Sequence, residues 1–427
     1  MAQKGIREYD AKRMLARAIR EASGGRFQFD DRLVLVDPET DVAALEADHP
    51  WLTTTRLVVK PDQLFGKRGK NNLLLLDADL EAAKAWIAER RGKEVTVEGA
   101  SGRTTGVLTH FLIEPFVPHD AEYYLALTSS RDVDTIHFSP QGGVDIESVW
   151  DTVVSIDVPV LADPTKVDVL SRLPNLPEKE VVAAFIQHLY RIYVDYHFTY
   201  LEFNPVAFSH GSPIPLDTVA KLDDTAAFQC AEKWGPIAFP RPFGRAMTQE
   251  EAYVESLDAR TGASLKLTVL NPDGRVWLLV AGGGASVIYA DTVVDLGFGG
   301  ELANYGEYSG DPSTELTYEY TKTILDLMTR RPDPKGRPKY LLIGGGIANF
   351  TDVAKTFTGI IHALEEYKEE LRKNHVKIYV RRGGPNYKEG LENMRRLGER
   401  IGVPLEVYGP ETHMTRIVSL ALEEAQR

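Results

Sequence analysis

The sequence predicts an α/β protein whose carboxy-terminal part is a doubly wound parallel sheet, and three short apolar runs support this prediction. The runs, residues 276–281, 340–343 and 376–380, each end in a glycine loop that a helical segment follows. Strands and helices alternate in this way around a parallel sheet. Each loop brings unpaired backbone N–H groups and a helix start to one point. Because the three points meet at the carboxyl edge of the sheet, they predict a site for a small, strongly anionic ligand.

Length, composition and charge narrow the class of protein. With 427 residues the chain is too long for one ordinary core, and its hydrophobic content of 43% is that of a soluble globular protein. A net charge of −13 argues against nucleic acid as a partner. No run approaches the roughly 18 apolar residues of a membrane span, so a membrane is not expected either. A single cysteine, Cys230, and an amino terminus without an apolar stretch predict a cytoplasmic protein.

The amino-terminal part combines helices with short strands, and a proline-rich segment at 234–244 is interpreted as a linker to the next domain. Beyond this linker, residues 264–281 predict a hairpin that turns at 271–274 and leads into the parallel sheet. Apolar spacing predicts the elements before the linker. The expected helices are residues 8–21, 80–91 and 178–196, and the expected strands are 32–36, 56–60 and several within 94–138.

A basic segment, residues 60–70, follows the strand predicted at 56–60. It places four cations around two glycines. Such a loop lets the backbone approach a phosphate closely while the cations neutralise its charge. The P-loop motif is absent, and a solvated basic turn explains the segment slightly better when it is considered alone.

A second candidate site lies in residues 198–217, which predict a strand, a tight turn and a returning strand. If this hairpin is centred between His210 and Gly211, Asn204 and Asp217 lie directly opposite each other, about 5 Å apart. Their oxygens then suit a shared Mg²⁺ that phosphate and water complete. An edge hairpin with solvated polar residues is the simpler alternative, but the coincidence of register favours the metal.

In their order along the chain and in their amino-acid residues, these segments resemble an ATP-grasp domain. The segment 111–119 adds to this likeness, and the strings 281–286 and 380–387 extend it to the carboxy-terminal part. The chain as a whole is similar to the β-subunit-like part of the ATP-citrate lyase family, in the superfamily of NDP-forming acyl-CoA synthetases. The resemblance implies an ATP-grasp domain followed by a doubly wound, flavodoxin-like parallel-sheet domain. The implied divisions are 1–20 with 112–240 for the main ATP-grasp subdomain, 21–111 for the smaller one, and 246–427 for the citrate-binding CoA-ligase domain.

The resemblance also implies residues that bind ATP as substrate and Mg²⁺ as cofactor. A further loop, with Asp258, Thr261 and Ala263, is similar to a second cation-holding turn of the family, although a structural turn explains it equally well. In the first domain, the residues that the resemblance implies for the phosphates are Lys60, Arg68 and Gly69. The backbone of Pro115 and Val117 is expected to contact the adenine, and Glu122 the ribose. Mg²⁺ is expected to be held by Asn204 and Asp217.

By the same resemblance, the ligand of the three glycine loops is citrate. Arg382 directly follows its strand, and the fork of a guanidinium matches a carboxylate. Asn349 and Thr351 lie at the opening of a helix, where they are also candidates for its N-cap. Gly310 and Tyr367 correspond to citrate-contacting positions of the family. A Rossmann dinucleotide site is the rival interpretation, but its glycine motif is absent.

The resemblance implies one subunit of a hetero-octameric enzyme that is active only with its partner. In the family, the phosphohistidine, the CoA site and the lyase module lie in a portion that this sequence lacks, so no catalytic residue is expected in this chain. The joint reaction converts ATP, citrate and CoA into acetyl-CoA, oxaloacetate, ADP and phosphate through citryl-phosphate and citryl-CoA. The alternatives are the large subunit of citryl-CoA synthetase, a succinyl-CoA synthetase β subunit, and a citrate-sensing subunit without catalysis.

Overall fold

Two units, residues 1–246 and 247–427, make up the chain in the computed structural model. Each unit has its own sheets and its own clusters of buried apolar side chains. Within the residues that the structure describes, no helix has both the length and the apolar character needed to cross a membrane. The described residues are 3–99, 102–119, 121–143, 146–209, 211–260 and 262–425.

The first unit contains a large, a middle-sized and a small sheet. Its helices are α1 (Glu8–Ala22), α2 (Leu45–Asp48), α3 (Leu80–Arg90), α4 (Lys179–Asp195) and α5 (Ala227–Trp234). Its strands are β1 (Gln3–Ile6), β2 (Val34–Val36), β3 (Leu57–Pro61), β4 (Leu75–Ala78), β5 (Glu94–Gly99), β6 (Gly102–Val107), β7 (Phe111–Pro115), β8 (Glu122–Ser129), β9 (Val133–Ser139), β10 (Val154–Pro159), β11 (Phe198–Ser209), β12 (Ser212–Pro215) and β13 (Thr218–Asp223). The large sheet has the order β1-β13-β11-β8-β9-β10 with β12 beside β11, the middle sheet has the order β2-β7-β3-β4, and β5 pairs with β6.

The predicted helices of this unit are confirmed as α1, α3 and α4, each ending close to its expected bounds. The apolar face of α1, with Leu15 and Ile19 fully buried, joins the core beneath the large sheet. Its first turn is capped from another element, because Asp62, directly after β3, accepts hydrogen bonds from Glu8 N at 2.8 Å and Tyr9 N at 3.1 Å. These bonds satisfy N–H groups that a helix start leaves open, and they fasten α1 to the end of β3.

The hairpin register predicted within 198–217 is confirmed. β11 pairs with β12 so that Ser209 lies opposite Ser212, and the same register continues where β11 meets β13. The backbone N–H of Asn204 donates to the carbonyl of Asp217 at 3.2 Å. The two residues predicted to hold a metal therefore lie opposite each other on neighbouring chain segments.

One boundary of the expected division cuts a strand. β7 lies between β2 and β3 in the middle sheet, paired on both edges, so a boundary between residues 111 and 112 would separate the first residue of β7 from the rest. The proline-rich segment 235–244 contains neither helix nor strand. Within this segment Phe243 is buried, and its ring lies 4.5 Å from the ring of Phe65.

The second unit is built on one six-stranded sheet with the order β14-β16-β15-β17-β18-β19. These strands are β14 (Ser264–Val269), β15 (Val276–Ala281), β16 (Asn304–Ser309), β17 (Tyr340–Gly345), β18 (Lys377–Arg381) and β19 (Leu405–Tyr408). The helices are α6 (Gln249–Asp258), α7 (Gly283–Val293), α8 (Thr314–Thr329), α9 (Val353–Glu366), α10 (Lys368–Lys373), α11 (Tyr387–Ile401) and α12 (Arg416–Ala425).

The parallel sheet predicted from the three apolar runs is confirmed, since β15, β17 and β18 are parallel neighbours. Residues of α6, α8, α9 and α11 pack on one face of the sheet, and residues of α7 and α12 pack on the other. Covering both faces explains why these strands are apolar without alternation. Only β14 runs antiparallel to its neighbour.

The hairpin expected over 264–281 is wrong, because β16 lies between β14 and β15. Gly306 lets β16 approach β14 so closely that a Cβ at this position would lie 2.1 Å from the carbonyl oxygen of Lys266. On the other edge, the Asn304 side chain bonds the N–H and the carbonyl of Leu278 at 2.8 and 2.9 Å. These contacts join strands that are distant in the chain, and no turn motif marks them.

Candidate functional site

A cavity of about 920 Å³ in the first unit brings together the residues predicted to bind ATP and Mg²⁺. The middle sheet contributes β3 and the end of β7, and the large sheet contributes β11. All eight predicted residues line it, namely Lys60, Arg68, Gly69, Pro115, Val117, Glu122, Asn204 and Asp217. A size of this order is typical of sites for small ligands and cofactors.

Glu8 is the centre of a buried ion cluster beside this cavity. Lys60 Nζ lies 2.7 Å from Glu8 Oε1 and 2.7 Å from Glu114 Oε1. Lys12 Nζ lies 2.8 Å from the same Glu8 oxygen and 2.7 Å from Glu114 Oε2. Both lysines also donate to the carbonyl of Leu216. Lys60 therefore uses all three of its N–H donors on protein oxygens.

Arg68 joins this cluster to the predicted metal site. Its Nη1 lies 2.9 Å from Glu8 Oε2 and 2.6 Å from Asp217 Oδ1. The guanidinium is buried, and its Nε has no hydrogen-bond partner within the described part of the chain. Arg68 thus keeps donor capacity for an anion, whereas a phosphate can bind Lys60 only by replacing one of its present partners.

Burial and charge together shift the pKa values of the carboxylates in the cluster. Burial would raise the pKa of Glu8, but the three neighbouring cations outweigh burial and lower that pKa well below its ordinary value. Burial raises the pKa of Asp217, and Arg68 opposes this only in part. At Asp62, burial and the charge of Glu8 raise the pKa to about 6.

The predicted adenine and ribose positions are linked by His119, the last residue of the segment 111–119. His119 Nδ1 lies 2.8 Å from the carbonyl oxygen of Val117, and Nε2 lies 2.8 Å from Glu122 Oε1. Leu74 and Leu76 line the same cavity with partly exposed apolar side chains. They supply the kind of apolar wall that ligand pockets use beside their few polar groups.

The chemistry of Asn204 and Asp217 fits Mg²⁺. Asn204 Oδ1 accepts a hydrogen bond from Gly143 N at 2.9 Å, which orients the amide. An amide oxygen and a carboxylate are hard oxygen ligands, as Mg²⁺ prefers. The described residues contain no group of three or more His, Cys, Asp or Glu side chains that could hold a metal. Phosphate oxygens and water would therefore have to complete the coordination shell.

The loop predicted as a second cation site has a structural role for its carboxylate. Asp258 Oδ1 accepts a hydrogen bond from Leu265 N at 2.7 Å, and Oδ2 lies 2.6 Å from Lys266 Nζ. Ala263 lies beside Gly310, where a Cβ on the glycine would be 3.2 Å from Ala263 Cα. Thr261 lies outside the described residues. The carboxylate of Asp258 thus ties α6 to β14, and its cation-binding role stays a prediction.

A second cavity, of about 300 Å³, lies at the carboxyl ends of β15, β16, β17 and β18. As predicted, all three glycine loops border it: the first through Gly282, Gly284 and Ala285, the second through residues 346–348, Phe350 and Thr351, and the third through Arg382. Gly310 and Thr351, two further residues predicted to bind citrate, also line it. The convergence of these loops is thus confirmed, and it gathers three of the five residues predicted for citrate.

The other two residues lie apart from the lining. Asn349 is exposed on the same loop, and Tyr367 follows the last residue of α9, a helix of 14 residues. Such a helix is about 21 Å long, which places Tyr367 a helix length beyond Thr351. The N-cap expected at Asn349 or Thr351 is wrong, because Asp352 caps α9 by accepting a bond from Lys355 N at 3.0 Å. Thr351 is therefore not needed as a cap.

Two consecutive arginines at the end of β18 differ in their hydrogen-bond partners. Arg381 donates to the carbonyls of Gly345, Pro410 and Thr412 and so holds the loops together. Arg382 donates from Nη1 to the carbonyl of Gly346 at 2.7 Å, but its Nε is buried without a partner in the described residues.

No acidic side chain among the described residues pairs with Arg382, and burial lowers the pKa of its guanidinium. Gly345 is needed for its placement, since a Cβ there would lie 2.6 Å from Arg382 Nη1. A buried cation without a counter-charge is costly. This arrangement is therefore suited to an anionic ligand.

These features define a class of protein, in which an ATP-grasp domain is followed by a doubly wound domain with an anion site at its sheet edge. A family model described as "ATP-citrate synthase ATP-grasp domain" matches residues 2–234, and one described as "ATP citrate lyase citrate-binding" matches residues 245–424. The chain belongs to the ATP-citrate synthase family.

Individual relatives agree with this membership. "ATP-citrate synthase alpha chain protein 2" of Arabidopsis thaliana is 49% identical over 425 residues, with 99% of each chain covered. The human "ATP-citrate synthase" is 48% identical over 428 residues, and the match covers 99% of this chain and 38% of the human protein. A solved structure of ATP citrate lyase from Methanothrix soehngenii, in complex with citrate and coenzyme A, matches with a TM-score of 0.90 and 57% identity. That match covers 99% of this chain and 100% of the other.

Proposed function

We propose that this chain is the ATP- and citrate-binding subunit of ATP-citrate lyase, with the citrate site in the second unit. The observation that carries the proposal is Arg382, a buried guanidinium to which the described residues offer no carboxylate partner, at the point where three glycine loops meet. Citrate would supply the missing negative charge, and the loop N–H groups would bind its further carboxylate oxygens. The Methanothrix soehngenii structure in complex with citrate supports the choice of ligand.

The cavity of the first unit is proposed to bind ATP with Mg²⁺. Arg68, with an unused donor, and the backbone at Gly69 would contact the phosphates, while Asn204 and Asp217 would hold the cation. When bound, Mg²⁺ would neutralise phosphate charge and orient the terminal phosphoryl group. Val117 and Glu122 would position the base and the ribose. A subunit that only senses citrate would have no use for this second, phosphate-directed cavity.

A partner subunit is indicated by relatives that are named as chains or subunits of the enzyme. We propose that the partner carries the phosphohistidine, the CoA site and the lyase module, in a cytoplasmic hetero-octamer. In this division of labour the present chain binds citrate and energises it through ATP, and the partner completes the formation and cleavage of citryl-CoA. Phosphoryl transfer makes a carboxylate reactive toward the thiol of CoA.

The direct test is calorimetric titration of the purified chain with citrate, for the natural sequence and for Arg382→Ala. Citrate should bind the natural sequence, and the variant should bind at least about tenfold more weakly because it loses a charge-assisted bond. Arg396→Ala is the matched control, since Arg396 is an exposed arginine of α11 that pairs with Glu392. Equal affinity of all three proteins would rule out this citrate site.

A further inference from the structure

Two of the three buried side-chain atoms that lack a hydrogen-bond partner in the described part of the second unit belong to residues that line the 300 Å³ cavity. They are the hydroxyl of Tyr308 and the Nε of Arg382. Tyr308 is 1% exposed, and Arg382 is 6% exposed. A buried donor without a partner lowers stability, and native proteins contain few of them. Two at one cavity point to a ligand that accepts from both.

The surroundings of Tyr308 hold its side chain in place. Tyr308 lies near the end of β16, where it pairs with Leu265 of β14 and Ala281 of β15. Its ring packs against Tyr320 with 6.2 Å between centroids, and its carbonyl accepts from Gly282 N at 3.0 Å. The ring is therefore fixed by strands on both sides and by a buried neighbour, so its hydroxyl is held in position for a ligand.

The pKa of Tyr308 determines whether its hydroxyl can donate a hydrogen bond. Burial raises the pKa of Tyr308, and the nearby Arg382 guanidinium opposes this shift. The phenol therefore keeps its proton at neutral pH and offers it to an acceptor. Tyr308 and Arg382 line the same cavity, and a phenol O–H and a guanidinium N–H are two donors suited to the oxygens of a carboxylate.

We propose that Tyr308 is a ligand-binding residue of this site, whose hydroxyl donates a hydrogen bond to a citrate carboxylate that Arg382 also binds. This inference rests on the proposed citrate-binding function and adds a residue that no glycine or arginine motif marks. Tyr308 contributes a neutral donor with a fixed position, and Arg382 contributes the charge.

The test uses Tyr308→Phe, which removes only the hydroxyl. Without citrate, the variant should melt at the same temperature as the natural sequence or higher, because a buried unsatisfied group is lost. Its affinity for citrate in calorimetry should fall about tenfold or more, as expected for a hydrogen bond to a charged group. A structural role for the hydroxyl predicts the opposite pattern, a lower melting temperature with unchanged affinity, and that result would overturn the inference.

Tyr320→Phe is the matched control. Its hydroxyl is equally buried in the same core but donates to the carbonyl of Lys266 at 2.8 Å, so the variant should lose stability and keep its citrate affinity. If the natural sequence binds no citrate, the proposed function fails. If it binds citrate and Tyr308→Phe binds equally well, only the present inference fails.

A second measurement does not depend on the folding of the variant. Citrate added to the natural sequence should give a tyrosine ultraviolet difference spectrum, because the phenol gains an acceptor. Citrate binding without any tyrosine signal would also overturn the inference.

Discussion

The buried arginines of the two cavities differ in whether a carboxylate of the protein neutralises their charge. In the first unit, Arg68 is already paired with Glu8 and Asp217. In the second unit, no acidic side chain of the described residues pairs with Arg382. An anion that enters the first cavity must compete with carboxylates of the protein, whereas an anion that enters the second meets an unneutralised cation. Binding of an anion at the first site therefore replaces existing ion pairs of Arg68, whereas binding at the second site forms an ion pair with Arg382 without breaking one.

The largest expected effect comes from removing the charge at the centre of the first cluster. Glu8→Gln leaves Lys12, Lys60 and Arg68 with one anion fewer in a buried setting, and breaking a buried pair costs about 3–5 kcal/mol. Chemical unfolding should reveal a loss of this size in the stability of the first unit.

The matched control for that loss is Glu98→Gln, which breaks an exposed pair with Arg103 and should cost at most about 1 kcal/mol. Similar losses for Glu8→Gln and Glu98→Gln would mean that the internal ion pairs do not distinguish the first cavity from the second.

The next effect concerns catalysis. Asp217→Asn keeps the shape of the side chain but removes the negative charge that Arg68 and the proposed Mg²⁺ share. ATP-dependent phosphorylation of the partner subunit should fall on the order of a hundredfold, since metal stabilisation of a transferring phosphoryl group is worth several kcal/mol. Citrate affinity should stay unchanged, because the residue belongs to the other cavity.

Asp195→Asn serves as the control for that experiment, because Asp195 is an exposed carboxylate paired with Lys233 at 2.6 Å. Undiminished phosphorylation in Asp217→Asn would remove the metal role from this residue.

A smaller effect is expected from pH on the free energy of unfolding, again in the first unit. The folded-state pKa of Asp62, about 6, lies above its ordinary value of 3.8, so the folded state holds this proton more tightly than the unfolded state. The stabilising contribution is full at low pH and is lost as pH rises toward and through 6. Between pH 4.5 and pH 7, this group alone should lower the free energy of unfolding by about 2 kcal/mol.

Glu8 does not mask this change, since its lowered pKa contributes only below its ordinary value of 4.5. Unfolding measured at pH 4.5 and at pH 7 should therefore give a difference that Asp62→Asn reduces by about 2 kcal/mol. An identical difference in the variant would assign the pH dependence to other groups.

Local patterns predicted much of the fold and part of each site. The three strand–glycine–helix units were found because buried parallel strands are continuously apolar and glycines end them. The opposition of Asn204 and Asp217 was found because a tight turn fixes the register of the two strands that it joins. Both signals lie within about twenty residues of chain.

Contacts between distant segments were not predictable in this way. β16 enters between β14 and β15 because Gly306 permits close approach and Asn304 replaces backbone bonds, and neither residue forms a motif. Glu8 meets Lys60 and Arg68 only after α1 has packed beside β3. Tyr308 has the pattern of a core residue in a strand, and only the unpaired hydroxyl distinguishes it. Such features depend on what lies opposite a side chain in space.

The capping of α1 by Asp62 has a mechanical consequence. Lys60 and Asp62 are two residues apart at the end of β3, and the N–H groups of the first turn of α1 are anchored on Asp62. The helix that carries Glu8 and Lys12 is thus anchored by hydrogen bonds at the end of the strand that carries Lys60. Glu8 and Lys60, whose side chains are 2.7 Å apart, are thus connected a second time through Asp62, so that the first turn of α1 and the end of β3 form one hydrogen-bonded unit.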